Sequence, residues 1–226
     1  MSSNKRKKSA AGFAVLGTVC LLGLTIEYAL IMFEQFIYDK LYNKFTITES
    51  ITHWLIISGL WAILGLLLFY ISARVYGYNF LKKNQFPSTR GWVTVVLILL
   101  ASFGTKFRIY GGWKPEIDFI QSGWFQFIFQ TTYELLGTLP IISMVIFTQE
   151  AFERFSKKTD SAFSAHFPWG GIVLALSWGA THLITERSTA AAFGYIFLSL
   201  LIGAAHLASN KNFYLSYIFA VLILLV

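Results

Sequence analysis

The stretch "ITHWLIISGLWAILGLLLFY", Ile51 to Tyr70, runs for twenty residues without an Asp, Glu, Lys or Arg. A helix of that length rises ~30 Å, the thickness of a bilayer's hydrocarbon core. The segment 51–74 therefore reads as a membrane span, and six further runs read the same way: 11–36, 91–107, 122–150, 168–186, 189–208 and 212–226. The third and seventh are short against the ~20 apolar residues a crossing needs. Composition agrees: 56% of the 226 residues are hydrophobic, 18% aromatic and only 13% charged, too little charge to cover a soluble domain of this size. The expected fold is an all-α, polytopic membrane helical bundle of six to seven spans, eight at most.

The charge pattern supplies an orientation. With the N-terminus inside, the KRKK tail, Arg74, Lys82, Lys83, Arg90, Arg154, Lys157, Lys158 and Lys211 are cytoplasmic, 12 of the 18 Lys and Arg. Lys40, Lys44, Lys106, Arg108, Lys114 and Arg187 fall outside, so the bias is the one the positive-inside rule expects. Basic residues that alternate with spans argue against a nucleic-acid surface. The run "KRKKSAAGFAVLGTVCLLG" has too long an apolar stretch for a cleaved signal and reads as an anchor. We expect a basic cytoplasmic tail over 1–9, one transmembrane domain over 10–226, and a place in the cell membrane with the lipid bilayer as its surroundings. Cys20 is the only cysteine, which excludes an internal disulfide and a thiolate metal cluster. Loop 108–121, with a turn signal at Trp113-Lys114-Pro115, is expected to lie in the interface, and Pro140 is expected to kink the fourth span.

Ionisable residues inside spans cost ~2.5–3.5 kcal/mol each on insertion scales and so need an explanation. They are Glu27, Glu34, Glu134, Glu150, His182 and His206. Glu27 and Glu34 are seven apart and share a helix face. Glu134 lies ~22 Å along its helix from Gln149, too far to share a site with it. A hydrogen bond to a neighbouring helix is its default role. His53 and His166 fall near span ends or in loops, where a histidine needs no special cause.

Three short patterns follow one another in the second half: Gln149-Glu150-x-x-x-Arg154 within "FTQEAFERF", then Trp178-x-x-x-His182, then His206-x-x-x-Asn210. Their order, and the 33-residue step from Gln149 to His182, resemble the signature of the CAAX-protease and bacteriocin-processing (CPBP, or Abi) family of intramembrane endopeptidases. The resemblance covers a core of about 122–226. Hydrolysing a peptide in a membrane requires a base for the water and donors for the oxyanion. The resemblance implies that Glu150, His182, His206 and Asn210 are catalytic, supported by Gln149, Arg154 and Trp178. The i,i+4 spacing lets Arg154 hold Glu150 ionised. His182 lies ~21 Å into its helix from Pro168, and Gln149 reaches a similar depth if its helix runs on to about Lys158.

This chain departs from the family pattern twice. Gln149 stands where the family carries its first glutamate, and an amide takes no proton from water. Between His182 and His206 lie fewer residues than family members usually have, so the third motif would fall in "FYLSYIFAVLILLV", which holds no histidine or asparagine after Phe213. The expected function is an intramembrane endopeptidase acting on a membrane-associated peptide or protein. One alternative is a catalytically impaired relative serving as a membrane scaffold or bacteriocin self-immunity protein. The other is a transporter or channel subunit using Glu27, Glu134 and His182 as a polar path. These patterns leave the cofactor open, with none at all as one reading. Zinc is the one candidate, with His182, Glu186 and His206 as its ligands.

Overall fold

The computed structural model describes residues 9–82, 85–156, 167–185 and 188–225, so the basic tail, His166, Glu186 and Arg187 lie outside the described residues. Its elements are α1 (Ala10–Tyr38), α2 (Ile47–Arg74), α3 (Thr89–Tyr110), α4 (Lys114–Ser156), α5 (Trp169–Leu174), α6 (Ala180–Thr185), α7 (Thr189–Ala208) and α8 (Phe213–Leu225). A π-helical stretch, Ala175–Gly179, joins α5 to α6, and the described residues contain no strand. The protein is an all-α helical bundle.

Local sequence explains where these helices begin. Ser9, Ser88 and Ser188 are N-caps whose side chains accept from the backbone N–H groups of Gly12, Gly91 and Ala191. Thr46 and Glu49 form a reciprocal capping box at the head of α2. Five helices are long and apolar enough to cross a membrane: α1, α2, α3, α4 and α7. Large apolar side chains such as Leu66, Leu100 and Phe36 point outward, 68%, 64% and 85% exposed, as lipid-facing residues do. The chain is membrane-embedded.

α4 is the central element. Of its most apolar window 72% is buried, against 22–50% in the other four long helices. α1, α2, α5 and α8 pack on it, while α3 packs chiefly on α7. Small residues bring the backbones together: a Cβ on Gly203 would stand 2.4 Å from the Cα of Gly171, and one on Gly170 would stand 2.3 Å from the carbonyl oxygen of Val145.

The order of the helices defines two faces. Ser9, residues 75–82 and 85–88, the end of α4, the start of α5 and the α7–α8 turn meet on what we call the N-terminal face. The α1–α2 turn, Tyr110, Lys114 and Ser188 lie at the far face.

Two sequence expectations change. Loop 108–121 is helical from Lys114 onward, and α3 runs on to Tyr110. The break in α4 lies at Gly123, with φ 70° and ψ 167°, whereas Pro140 sits within helical backbone. That conformation is open to glycine alone. It folds the segment before it back, so that Lys114 Nζ reaches Glu134 Oε1 at 2.6 Å. In a straight helix those residues, twenty apart, would be separated by ~30 Å.

A Cβ at Gly123 would meet nothing within 4 Å, so its replacement isolates the backbone effect. Gly123→Ala should lower stability by about 1–3 kcal/mol. Thermal unfolding in detergent reads this out, and an unchanged melting temperature would show that the break is not built on the left-handed backbone.

Candidate functional site

Gln149, Glu150 and Arg154 occupy the last turns of α4, at the N-terminal face. The i,i+4 pair forms: Arg154 Nε donates to Glu150 Oε1 at 2.7 Å. The guanidinium also lies 4.4 Å over the ring of Phe13. Burial, then the Glu150 charge and a hydrogen bond to it, push the Tyr78 phenol upward, so Glu150 answers to both Arg154 and Tyr78. Gln149 is buried and makes three bonds. Its Nε2 donates to Glu153 Oε1 at 2.7 Å and to the Phe167 carbonyl at 3.1 Å, and its Oε1 accepts from Gly170 N–H at 3.1 Å. The amide thus ties the end of α4 to the start of α5.

Glu153, which the motif pattern leaves unassigned, is the carboxylate beside Gln149. Lys211 Nζ donates to both of its oxygens at 2.6 Å. Lys211 can do so because Asn210 and Lys211 both adopt positive φ, 54° and 59°, in the turn after α7. Asn210 is occupied in that turn: its Nδ2 donates to the Phe86 carbonyl at 2.6 Å. His206, one turn earlier, is buried with Nδ1 2.8 Å from Ser216 Oγ, and Ser209 Oγ lies 2.8 Å from the same hydroxyl. Every residue of the first and third motifs therefore helps to close the N-terminal face.

His182 and Trp178 stand elsewhere. Gln149 is opposite Gly170, and His182 follows Gly170 by twelve residues, roughly 18 Å of helix. The expected equal depth of Gln149 and His182 is not found, because the α4–α5 hairpin is antiparallel and places position 149 at the base of α5. His182 stacks on Tyr195 with centroids 3.9 Å apart, and Trp178 meets it edge-on at 4.8 Å. Tyr195 in turn precedes His206 by eleven residues of α7, roughly 17 Å. The π-helical stretch holds Trp178, a kind of distortion common at functional positions.

His182 lines a partly open cavity of about 350 Å³ on the far-face side of the N-terminal motif residues. Its ionisable lining is Glu27, Lys106, Lys114, Glu134 and His182; neither Glu150 nor His206 reaches it. Glu134 and Asp118 share Lys114 Nζ, each at 2.6 Å. The expected partner of Glu134 on a neighbouring helix is thus a lysine of the folded-back start of its own helix. Tyr133 donates its hydroxyl to Glu27 Oε1. Behind Glu27, His53 is fully buried, its Nδ1 2.6 Å from Glu34 Oε2 and its Nε2 3.8 Å from Glu27 Oε1. Outside the spans, burial and then the charge of Glu27 raise the Tyr42 phenol to about 12.

Sequence reasoning passed over three of these groups. His53 reads as a helix-border histidine, yet the shared face of Glu27 and Glu34 was a signal that a partner opposes it. Lys106 reads as an outside charge, yet it is 2% exposed. Glu153 was visible only as one polar residue among four. Glu186, the middle member of the candidate zinc set, lies outside the described residues, and His182 and His206 stand at different depths in the bundle. Among the described residues no group of three or more His, Cys, Asp or Glu is arranged to hold a metal ion. No protein-family model, curated protein or solved structure matches the chain.

Lys211→Met removes the cation from Glu153 while keeping the length of the side chain. The carboxylate is then left buried beside Gln149, and stability should fall by about 1–3 kcal/mol. The double variant Lys211→Met/Glu153→Gln should recover much of the loss, which a double-mutant cycle on thermal unfolding measures. Additive losses would rule out the coupling.

Proposed function

We propose that the protein is a catalytically silent relative of the CAAX-type intramembrane endopeptidases that serves as a membrane-embedded binding protein. The order of its three motifs supports the kinship. The observation that carries the loss of catalysis is the state of Gln149: at the position of the family's first glutamate stands an amide whose donors and acceptor are engaged with Glu153, Phe167 and Gly170. Such a group neither takes a proton from water nor turns toward His182. Glu150 is held by Arg154 and Tyr78 at the same face. The binding side of this reading is the cavity where His182 stands with four other ionisable side chains. A lipid or a membrane-associated peptide or protein is the class of partner it serves.

A transport reading draws on the same cavity, because Glu27, Glu134 and His182 all line it. It requires that the cavity open alternately to both faces, and uptake into proteoliposomes that is lost in His182→Ala would favour it over binding alone.

The test compares wild type, Gln149→Glu and His182→Ala on prenylated and leader-bearing peptides in bilayers. No cleavage is expected from any of them. Gln149→Glu should also lower stability by about 1–3 kcal/mol, since it removes two donated hydrogen bonds and sets a second carboxylate against Glu153. Cleavage by the wild type that disappears in His182→Ala would sink the proposal and restore the endopeptidase reading.

A further inference from the structure

The cavity beside His182 contains two charged groups whose capacity the protein does not use. Lys106 is 2% exposed and lines the cavity, yet its ammonium makes no hydrogen bond or ion pair with the described residues. Its Nζ lies 5.8 Å from the centroid of the Tyr110 ring. The contrast with Lys114 is direct, since that amine is neutralised by two carboxylates at 2.6 Å. An amine so little exposed holds its charge best beside an anion, and its N–H donors face the cavity without a partner among the described residues. An anionic group in the cavity would meet them.

The second group is Glu27. Its Oε1 takes the Tyr133 hydroxyl and faces His53, whereas its Oε2 has no hydrogen-bond or ion-pair partner among the described residues. Glu27 on α1 and Lys106 on α3 line the same cavity. Tyr28, Trp61, Tyr133 and Trp178 add aromatic surface to the same lining. Carboxylate and ring faces together are a receptor for an ammonium. A simple anion would satisfy Lys106 but leave Glu27 open and add repulsion, because Glu27 and Glu134 already line the site. A simple cation would leave Lys106 unmet.

We propose that the cavity holds a small zwitterion, its anionic group on Lys106 and its primary ammonium on Glu27. The inference rests on the reading of the protein as a membrane-embedded binding protein and supplies its ligand class. At about 350 Å³ the space suits a head group or a free amino-phosphate and not a folded peptide. Phosphoethanolamine chemistry fits, either as the head group of a phosphatidylethanolamine or as a free solute.

The test titrates the purified full chain in an uncharged maltoside detergent and follows tryptophan fluorescence, to which Trp61 and Trp178 contribute from the cavity lining. The probes are short-chain phosphatidylethanolamine, free O-phosphoethanolamine, short-chain phosphatidylglycerol as anion only, and ethanolamine as cation only. Saturable binding of a zwitterionic probe is expected, at least tenfold tighter than either single-charge probe. It should weaken at least tenfold in Lys106→Met and in Glu27→Gln. Preference for the lipid over free O-phosphoethanolamine, or the reverse, assigns the source. If phosphatidylglycerol binds as tightly as phosphatidylethanolamine in a Lys106-dependent way, the zwitterion is overturned while the binding-protein reading stands. Zwitterion binding unchanged in both variants, or no saturable binding of either zwitterionic probe, overturns the proposal as well. The comparison among probes uses wild type alone, so a variant that fails to fold does not rescue it. His182-dependent peptide cleavage, by contrast, strikes the parent reading and is measured separately.

Discussion

Lys114 is bound by Asp118 and Glu134 at 2.6 Å each, and the inner architecture depends on that triad. In a low-dielectric interior an ionised carboxylate one helix turn from apolar residues is tenable only with a cation against it. The cation can reach Glu134 only because α4 breaks at Gly123 and folds its first turns back. Glu134 so placed sets its neighbours. Tyr133 lies against Trp61 with centroids 5.3 Å apart and bonds Glu27, while Trp61 Nε1 donates to the Gly23 carbonyl at 3.1 Å. One break and one lysine thereby position polar groups from α1, α2 and α4 around a common space.

The bundle separates its polar chemistry into two layers. Between them lies a dry core that includes Ile142, Val145, Leu198 and Ile202, each 1% exposed or less. At the N-terminal face, Gln149, Glu153, Lys211, His206 and Ser216 satisfy one another and the backbone. They behave as closures, since the bonds of Gln149 to Gly170, Lys211 to Glu153 and His206 to Ser216 tie one helix end to the next segment. The layer around the cavity is different, because Lys106 and Glu27 retain capacity that the protein leaves unmet. Packing alone does not require a buried amine without a partner. That asymmetry is why this cavity, and not the motif-bearing face, carries the functional reading.

Much of the fold was legible in the chain. Uninterrupted apolar runs such as 51–70 announce helices because the backbone in lipid must satisfy itself. Serine and threonine at the caps mark the starts to within a few residues. The break in α4 at Gly123 was not foreseen. Pro140 advertises a kink through a missing N–H, while Gly123 acts through a backbone angle that leaves no compositional trace. The site was legible only in residue types. Glu27, Glu134 and His182 stand out as ionisable groups in apolar surroundings, and the structure brings those three to one cavity. Lys106 and His53 did not stand out, because a charge near a span end reads as solvated until the helix proves longer than its apolar run.

What the sequence by itself determined is the solvent of the protein and its building blocks. Composition and run length place it in a bilayer as an all-α bundle, since no other arrangement buries so many apolar side chains with so few charges. It also determined the i,i+4 pair of Glu150 and Arg154, which needs only the geometry of one helix. Which distant residues meet was decided by tertiary structure alone. The antiparallel hairpin of α4 and α5 set Gln149 against Gly170 and left His182 roughly 18 Å further along its helix. Linear spacing records how far apart two residues are along the chain, and a turn between antiparallel helices converts that distance into depth. The motif residues follow one another as a pattern, and the fold set His182 at a different depth from Gln149 and His206.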